Sequence, residues 1–130
     1  MGPQDKCDEF ANKLSRHFRI INNGQVSSFL GINVERRDGT IFLNQVGYID
    51  RMAQRFQLES FNSLTATPLE HSLPLQKADF HSRRADGTLY RELTGSLNHL
   101  AICTRPDISL AVSKLSQFNK APTITHYNAA

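Results

Sequence analysis

The side chains that most often carry out chemistry are scattered along this sequence rather than grouped. Its five histidines and two cysteines show none of the spacings that bind zinc. Those histidines are His17, His71, His81, His99 and His126. Apart from the neighbours Asp8 and Glu9, acidic residues occur singly, so the paired carboxylates of two-metal chemistry are missing. No phosphate-binding glycine loop and no Gly-x-Ser-x-Gly nucleophile motif occurs. We therefore predict no catalytic residue and no metal site in the chain.

One set of residues does suggest binding, because it shares a single face of a predicted helix. Arg91, Gly95 and His99 recur at i, i+4 and i+8, with Asn98 beside them. A glycine inside a helix costs about 1 kcal/mol relative to alanine, so some contact must benefit from the missing side chain. Either a nucleic-acid backbone approaches Gly95, with its polar neighbours forming hydrogen bonds, or Gly95 and Ser96 let another helix pack closely. The local pattern slightly favours close packing.

The elements that would position these residues follow from hydrophobic spacing and turn signals. An amphipathic helix is predicted over 5–18, with Phe10, Leu14 and Phe18 on its apolar face. Alternating apolar residues predict one strand over 28–35. The Asp38-Gly39 pair then predicts a tight hairpin into the next strand, because both of its turn positions need positive φ.

Helical patterns dominate the remaining sequence. Asn44 is a candidate N-cap for a helix that runs through Phe56, whereas residues 59–87 lack periodicity and form a predicted long loop. A helix is predicted over 89–103, and Asp107 is placed to cap the following helix, whose apolar face includes Leu115. A further short helix is expected at 125–130. The predicted fold class is therefore α+β, with an N-terminal helix, a β-hairpin and a mainly helical bundle.

Composition excludes several classes of protein. The 130 residues suit one domain, and 39% hydrophobic with 21% charged residues is typical of a folded globular chain. The longest apolar run, 100–103, is too short to cross a membrane, and no signal peptide is visible. Two cysteines are too few for a disulfide scaffold, so we expect an intracellular protein. A net charge of +3 permits nucleic-acid binding without establishing it.

Nine short segments occur in a fixed order along the sequence, and the ordered set is more specific than any one of them. Together they resemble the copia-type reverse transcriptases of LTR retrotransposons, within the Pol polyprotein, and the resemblance covers nearly the whole chain from about residue 4 onward. The segments are FLGI at 29–32, DGTIFLNQ at 38–45, YI at 48–49, TPL at 67–69, YRELTGSL at 90–97, TRPDIS at 104–109, AV at 111–112, LSQF at 115–118 and KAPT at 120–123.

This resemblance implies roles for the predicted elements. Phe29, Leu30 and Gly31 would belong to the primer-grip hairpin, which positions the primer 3′ end at the border of palm and thumb. Residues 1–45 would then be the end of the palm, and 46–130 a thumb-like helical unit truncated at its C-terminus. A second set would follow the minor groove of the template–primer duplex without reading sequence. That set is Arg91, Gly95, Asn98 and His99.

The family's catalytic Tyr-x-Asp-Asp motif does not occur in the chain, so the resemblance implies a fragment that is inactive alone. The parent polymerase would use Mg²⁺, whereas no cofactor is expected here. The implied partners are an RNA–DNA or DNA duplex, bound weakly, and the remaining palm, fingers and RNase H parts of a polyprotein; no membrane is implied. At His99 the family more often has tyrosine. The alternative is a small α+β protein-interaction module from a degenerate retroelement, without nucleic-acid binding.

Overall fold

We describe residues 3–58, 67–69 and 75–130 from a computed structural model. The described residues form five α-helices and one three-stranded antiparallel sheet. The predicted α+β class is therefore confirmed. Part of the predicted loop over 59–87 lies outside the described residues, as does His71.

The N-terminal helix α1 spans Gln4–Ser15 and ends three residues before the predicted boundary. The amide N–H groups of His17 and Phe18 both bond to the Leu14 carbonyl, so the chain leaves the helix in a tight turn. None of its residues is buried, and Phe10 and Phe18 are exposed. Leu14 is partly buried, so the apolar face predicted for this helix is only partly covered by the described residues.

Two consecutive tight hairpins form the sheet. Strand β1 spans Ser28–Phe29, β2 spans Ile32–Arg37 and β3 spans Thr40–Asn44, in the order β1-β2-β3. Phe29 pairs with Ile32 and Arg37 with Thr40, so each connection has two residues. The Asp38-Gly39 hairpin is confirmed, with φ of 50° and 76°.

The single strand predicted over 28–35 is wrong, because the chain reverses at Leu30 and Gly31. Both residues have positive φ, 51° and 79°, which is the signature of a type I′ turn. Alternation of apolar residues continues across this turn, so the sequence pattern hides it.

Helix α2 spans Val46–Arg55 and begins after Gln45, one residue later than an Asn44 cap would place it. The Asn44 side chain bonds to Asn33 and Glu35 on strand β2, and its Oδ1 also accepts a 3.5 Å hydrogen bond from the Val46 N–H. Gln45 is buried, and its Oε1 accepts a 2.7 Å hydrogen bond from the Thr104 hydroxyl. This bond joins the predicted boundary at residue 45 to the C-terminal helices; the division into two units stays a prediction.

Helix α3 spans Gly87–Cys103 and is the centre of the core. Asp86 caps it by accepting hydrogen bonds from the N–H groups of Thr88 and Leu89. A single 3-10 turn, Pro106–Ile108, leads into helix α4, Ser109–Ser116. The predicted cap Asp107 does not bond to the α4 backbone as an N-cap, because its carboxylate pairs with the Arg105 guanidinium at 2.8 Å.

The core lies where α3 packs against α4 and the start of α5, Ile124–Ala129. Tyr90 is fully buried, and its hydroxyl donates a 2.9 Å hydrogen bond to the Leu115 carbonyl. Burial raises the pKa of Tyr90 to about 12, so this hydroxyl remains a donor at neutral pH. The buried apolar residues are Phe56, Tyr90, Leu93, Leu100, Ala101, Ala111, Val112 and Leu115.

His126 is the buried residue of helix α5. It is buried, its ring stacks on Phe118 with centroids 3.9 Å apart, and its Nδ1 accepts a 2.9 Å hydrogen bond from the Thr123 N–H. The Thr123 hydroxyl in turn accepts from the His126 N–H, which completes a capping box. Burial lowers the pKa of His126, an effect opposed by a hydrogen bond to the Gln76 backbone.

Candidate functional site

An open polar groove runs between α3 and the α4 segment. Its volume is about 400 Å³. Among the described residues, Arg91 provides the one charged side chain that lines it, so the described groove wall consists mainly of neutral hydrogen-bonding groups. The lining residues are Arg91, Thr94, Gly95, Asn98, Ser113, Ser116 and Asn119.

Gly95 opens the α3 wall of this groove. A Cβ built on Gly95 would meet none of the described neighbouring atoms within 4 Å. Close packing of another helix against Gly95 is therefore not observed within the described residues, whereas the neighbouring Ser96 carbonyl does contact Tyr48 of α2. The open space over the helix backbone faces whatever enters the groove.

Hydrogen bonds hold the two walls together at the Arg91 end. The Thr94 hydroxyl lies 2.9 Å from Asn119 Oδ1 and 3.1 Å from the Tyr90 carbonyl. Arg91 Nη1 lies 3.5 Å from the Asn119 carbonyl, and its Nη2 lies 3.3 Å from the Thr88 hydroxyl. These contacts orient the guanidinium and leave its positive charge in place, because both partners are neutral.

His99 takes a different position from the other three predicted residues. Its ring packs edge-on against Tyr48 of α2 at a centroid distance of 5.0 Å, and its Nδ1 lies 3.7 Å from Cys103 Sγ. Arg91, Gly95 and Asn98 line the groove, whereas His99 contributes to the contact between α2 and α3. Sequence spacing placed all four residues on one face of the helix. Their contacts differ, since His99 packs against α2 and the other three line the groove.

The predicted primer-grip residues form the turn of the first hairpin. Phe29 is 63% exposed and Leu30 is 72% exposed, so two large apolar side chains project from one tight turn. Leu30 also has φ of 51°, a left-handed conformation that costs an L-residue about 1–2 kcal/mol. An exposed leucine in this strained conformation contributes little to folding.

Tyr48 connects this turn to α3. A Cβ built on Gly31 would lie 3.8 Å from Tyr48 Cδ2, and the Tyr48 hydroxyl lies 3.4 Å from the Ser96 carbonyl. The turn, Tyr48 and His99 are thus consecutive neighbours. From the sequence Tyr48 was identified as part of the segment YI at 48–49, but its position between the hairpin turn and α3 was not predicted.

The second wall of the groove was also missed from the sequence. Ser113, Ser116 and Asn119 follow one another at intervals of three residues, which places them along one side of α4 and its final turn. That polar spacing was a usable signal, but the apolar positions of the same helix dominated the pattern.

Within the described residues, no group of three or more His, Cys, Asp or Glu side chains is arranged to hold a metal ion. In the same part of the chain, no helix combines the length and apolar character of a membrane span.

Several known proteins are similar in sequence to this chain over most of its length. The chain is 37% identical over 121 residues to the retrovirus-related Pol polyprotein from transposon RE1 of Arabidopsis thaliana, covering 91% of this chain. It is 34% identical over 124 residues to a putative transposon Ty5-1 protein of Saccharomyces cerevisiae, covering 95% of this chain. It is 30% identical over 118 residues, 89% of this chain, to an uncharacterized mitochondrial protein of Arabidopsis thaliana.

The chain spans only a part of each relative: 8% of the RE1 polyprotein, 40% of the yeast protein and 47% of the mitochondrial protein. No protein-family model matches it. No solved structure matches it either. Over most of its length, the chain is therefore similar to a segment of retrotransposon Pol polyproteins.

Proposed function

We propose that this chain, similar to retrotransposon Pol polyproteins over nine tenths of its length, is the palm-end and thumb segment of a copia-type reverse transcriptase. In this role the chain grips the primer and follows the template–primer duplex without reading its sequence. The 130-residue chain contains no Tyr-x-Asp-Asp motif and incorporates no nucleotide alone. Within the described residues, no side chains are grouped to hold the Mg²⁺ that the parent polymerase would use.

The observation that carries this proposal is the open backbone at Gly95. A mid-helix glycine destabilises α3, and no described neighbour makes use of the space that it leaves. A flat, close-approaching surface from outside the chain would use it. The edge of a nucleic-acid minor groove, with its sugars and base acceptors, has that shape.

The side chains around Gly95 suit such a ligand. Asn98, Ser113 and Ser116 are neutral, and each can donate or accept a hydrogen bond. Neutral donors can bond to sugar oxygens and to minor-groove acceptors that differ little between base pairs. The groove is therefore suited to binding that is independent of sequence.

The first hairpin supports the second half of the proposal. Phe29 and Leu30 project from a strained turn that reaches Tyr48 and, through it, α3. Exposed apolar side chains at a rigid turn can pack against the sugar and base at the end of a primer strand. This contact would position the strand end without charge.

The test is direct binding of a labelled RNA–DNA hybrid, measured by fluorescence anisotropy at two salt concentrations. We expect weak binding at low salt that is lost at high salt, with equal affinity for unrelated sequences. Arg91→Glu should reduce affinity at least tenfold, and Gly95→Leu should do the same without losing helical circular dichroism. Gly47→Leu is the control, because Gly47 is a helix glycine outside the groove.

Absence of binding at low salt would overturn the duplex-tracking role and favour the protein-interaction module. Unchanged binding in Arg91→Glu would show that the groove is not the contact surface. Incorporation of nucleotides in a metal-dependent primer-extension assay would contradict the predicted lack of polymerase activity.

A further inference from the structure

Basic side chains gather at one end of the α3–α4 groove. Arg84 Nη1 lies 3.4 Å from the Ala121 carbonyl, and Arg91 Nη1 lies 3.5 Å from the Asn119 carbonyl. Lys120 is the residue between these two carbonyls, and all three side chains are exposed. We call Arg84, Arg91 and Lys120 the basic cluster.

Backbone pairing fixes the position of this cluster. Arg84 forms an isolated antiparallel bridge with Thr123, Ala85 N–H donates to the Pro122 carbonyl and Ile124 N–H donates to the Arg83 carbonyl. The segment that carries Arg84 is thereby held beside the segment that follows Lys120. The cluster is built by packed backbone rather than by flexible side chains alone.

The charges of the cluster are not neutralised by ion pairs in the described part of the chain. The four ion pairs found there involve Lys13, Arg37, Arg55 and Arg105, none of which belongs to the cluster. Carbonyl partners orient a guanidinium and leave its charge and its other N–H donors available. Such a guanidinium is prepared to bind an anion in two-point geometry.

One acidic side chain lies nearby. Asp86 is held with a lowered pKa by the N–H groups of Leu89 and Thr88 and by the charge of Arg91. Its carboxylate is occupied as the cap of α3, so it does not form an ion pair with the cluster. Arg84, Arg91 and Lys120 together outweigh the charge of Asp86, so the described end of the groove carries a net positive charge.

We propose that the basic cluster binds successive phosphates of one strand of the nucleic acid whose minor-groove edge lies over Gly95. This inference rests on the proposed function and adds Arg84 and Lys120 to it. The neutral part of the groove contacts sugars and base edges. The basic cluster at its end binds the phosphate backbone of the nucleic acid and so sets the position of the strand.

A phosphate backbone fits this arrangement better than an acidic peptide does. The cluster is continuous with a groove of neutral hydrogen-bonding groups, which would leave a run of carboxylates unpaired beyond Arg91. A nucleic-acid strand presents phosphates on its outer edge and neutral sugars beside them, in the same order as the cluster and the groove.

The experiment measures how salt changes the affinity of the full chain for an RNA–DNA hybrid. Each phosphate contact contributes about 0.9 to the slope of log affinity against log salt. The Arg84→Gln/Lys120→Gln double variant should therefore lose about two from that slope. When the salt concentration is raised from 50 to 200 mM, the affinity of the double variant should fall about tenfold less than the affinity of the wild type does. Arg84→Lys/Lys120→Arg, which keeps both charges, should retain the wild-type slope.

Arg16→Gln/Arg19→Gln is the matched control, since it removes two exposed charges outside the groove and gives the same net charge. Equal slopes in this control and in the cluster variant would overturn the inference. If Gly95→Leu abolishes binding while the cluster variant keeps the wild-type slope, the proposed function stands and the phosphate site falls. If the wild type does not bind the hybrid at low salt, both fall.

Discussion

Leu30 adopts a backbone conformation that leucine disfavours. The turn between β1 and β2 requires positive φ at both central positions, and Leu30 occupies the first of them with its side chain in solvent. Asparagine adopts this conformation more readily, and Asn-Gly is the preferred pair for a type I′ turn. A leucine that costs stability is consistent with a role in contact.

Leu30→Asn should raise the free energy of unfolding by about 1 kcal/mol, because it relieves the left-handed strain. The same variant should weaken binding of a primed hybrid if Leu30 contacts the primer. Urea unfolding and hybrid titration measure the two effects. Leu43→Asn is the control, since Leu43 is exposed in a strand and has no positive φ; stabilisation of equal size there would contradict the explanation.

His126 is the second residue with a distinct physical signature. The neutral ring accepts from Thr123 and stacks on Phe118, and burial opposes its protonation. Its pKa in the folded state is lowered from the usual 6.5, so the unfolded chain takes up the proton more readily. The stability that this side chain contributes is complete above pH 6.5 and is lost as pH falls below that value.

The free energy of unfolding of the wild type should therefore decrease as the pH falls below 6.5. His126→Gln keeps a hydrogen-bond acceptor at the capping-box position and cannot be protonated in this range. The difference between the two denaturation curves, measured at several pH values, isolates His126. A difference that stays constant across the window would show that the ring is not held neutral.

At the scale of elements, α3 combines core packing and an open surface in one helix. Tyr90 and Leu93 are buried, and the Tyr90 hydroxyl bonds to Leu115 of α4, while Gly95 remains open on another face. Sequence periodicity predicted the helix and its stripes because packing and spacing agree there. It did not separate His99 from Gly95. His99 contacts Tyr48 of α2 whereas Gly95 lines the groove beside α4, and the spacing within α3 encodes neither neighbour.

Gly95→Ala should stabilise the chain by about 1 kcal/mol, since the added methyl enters open space and alanine favours a helix. Affinity for the hybrid should fall at the same time. Gly47→Ala in α2 should give a comparable gain in stability with unchanged affinity. If both variants bind alike, the open space at Gly95 has no role in binding.

Turns and caps were the least predictable local features. The Asp38-Gly39 turn follows from its residues, whereas the Leu30-Gly31 turn contradicts the preference of leucine and was read as strand. Asn44 and Asp107 were both predicted as caps, and neither is the N-cap residue of its helix. Asn44 bonds to Asn33 and Glu35 as well as to the Val46 N–H, and Asp107 bonds to Arg105. Capping residues are identified by type, but their partners depend on tertiary structure.

At the scale of the whole molecule, stability is concentrated in the C-terminal helices. The buried apolar residues belong to α3, α4 and Phe56, whereas α1 has none. The α+β class was predictable from the sequence because it depends on periodicity. The uneven distribution of burial was not, because an amphipathic pattern shows that a face is apolar without showing what covers it.

Leu93→Ala should reduce the free energy of unfolding by about 2–5 kcal/mol, because it opens a cavity in the core. Leu14→Ala makes the same chemical change on α1, where Leu14 is only partly buried, and should cost less than Leu93→Ala does. Urea denaturation monitored by circular dichroism compares them. Similar losses in the two variants would show that α1 is packed in solution.

The backbone pairing between residues 83–85 and 122–124 has a further consequence, because it supports both the fold and the basic cluster. Anything that binds the cluster must also disfavour the opening of this pairing, by thermodynamic linkage. Hybrid binding should therefore slow hydrogen–deuterium exchange at the amides of Ala85 and Ile124, which donate across it. The amide of Val34 in the sheet, which bonds to Ser27, should exchange at an unchanged rate.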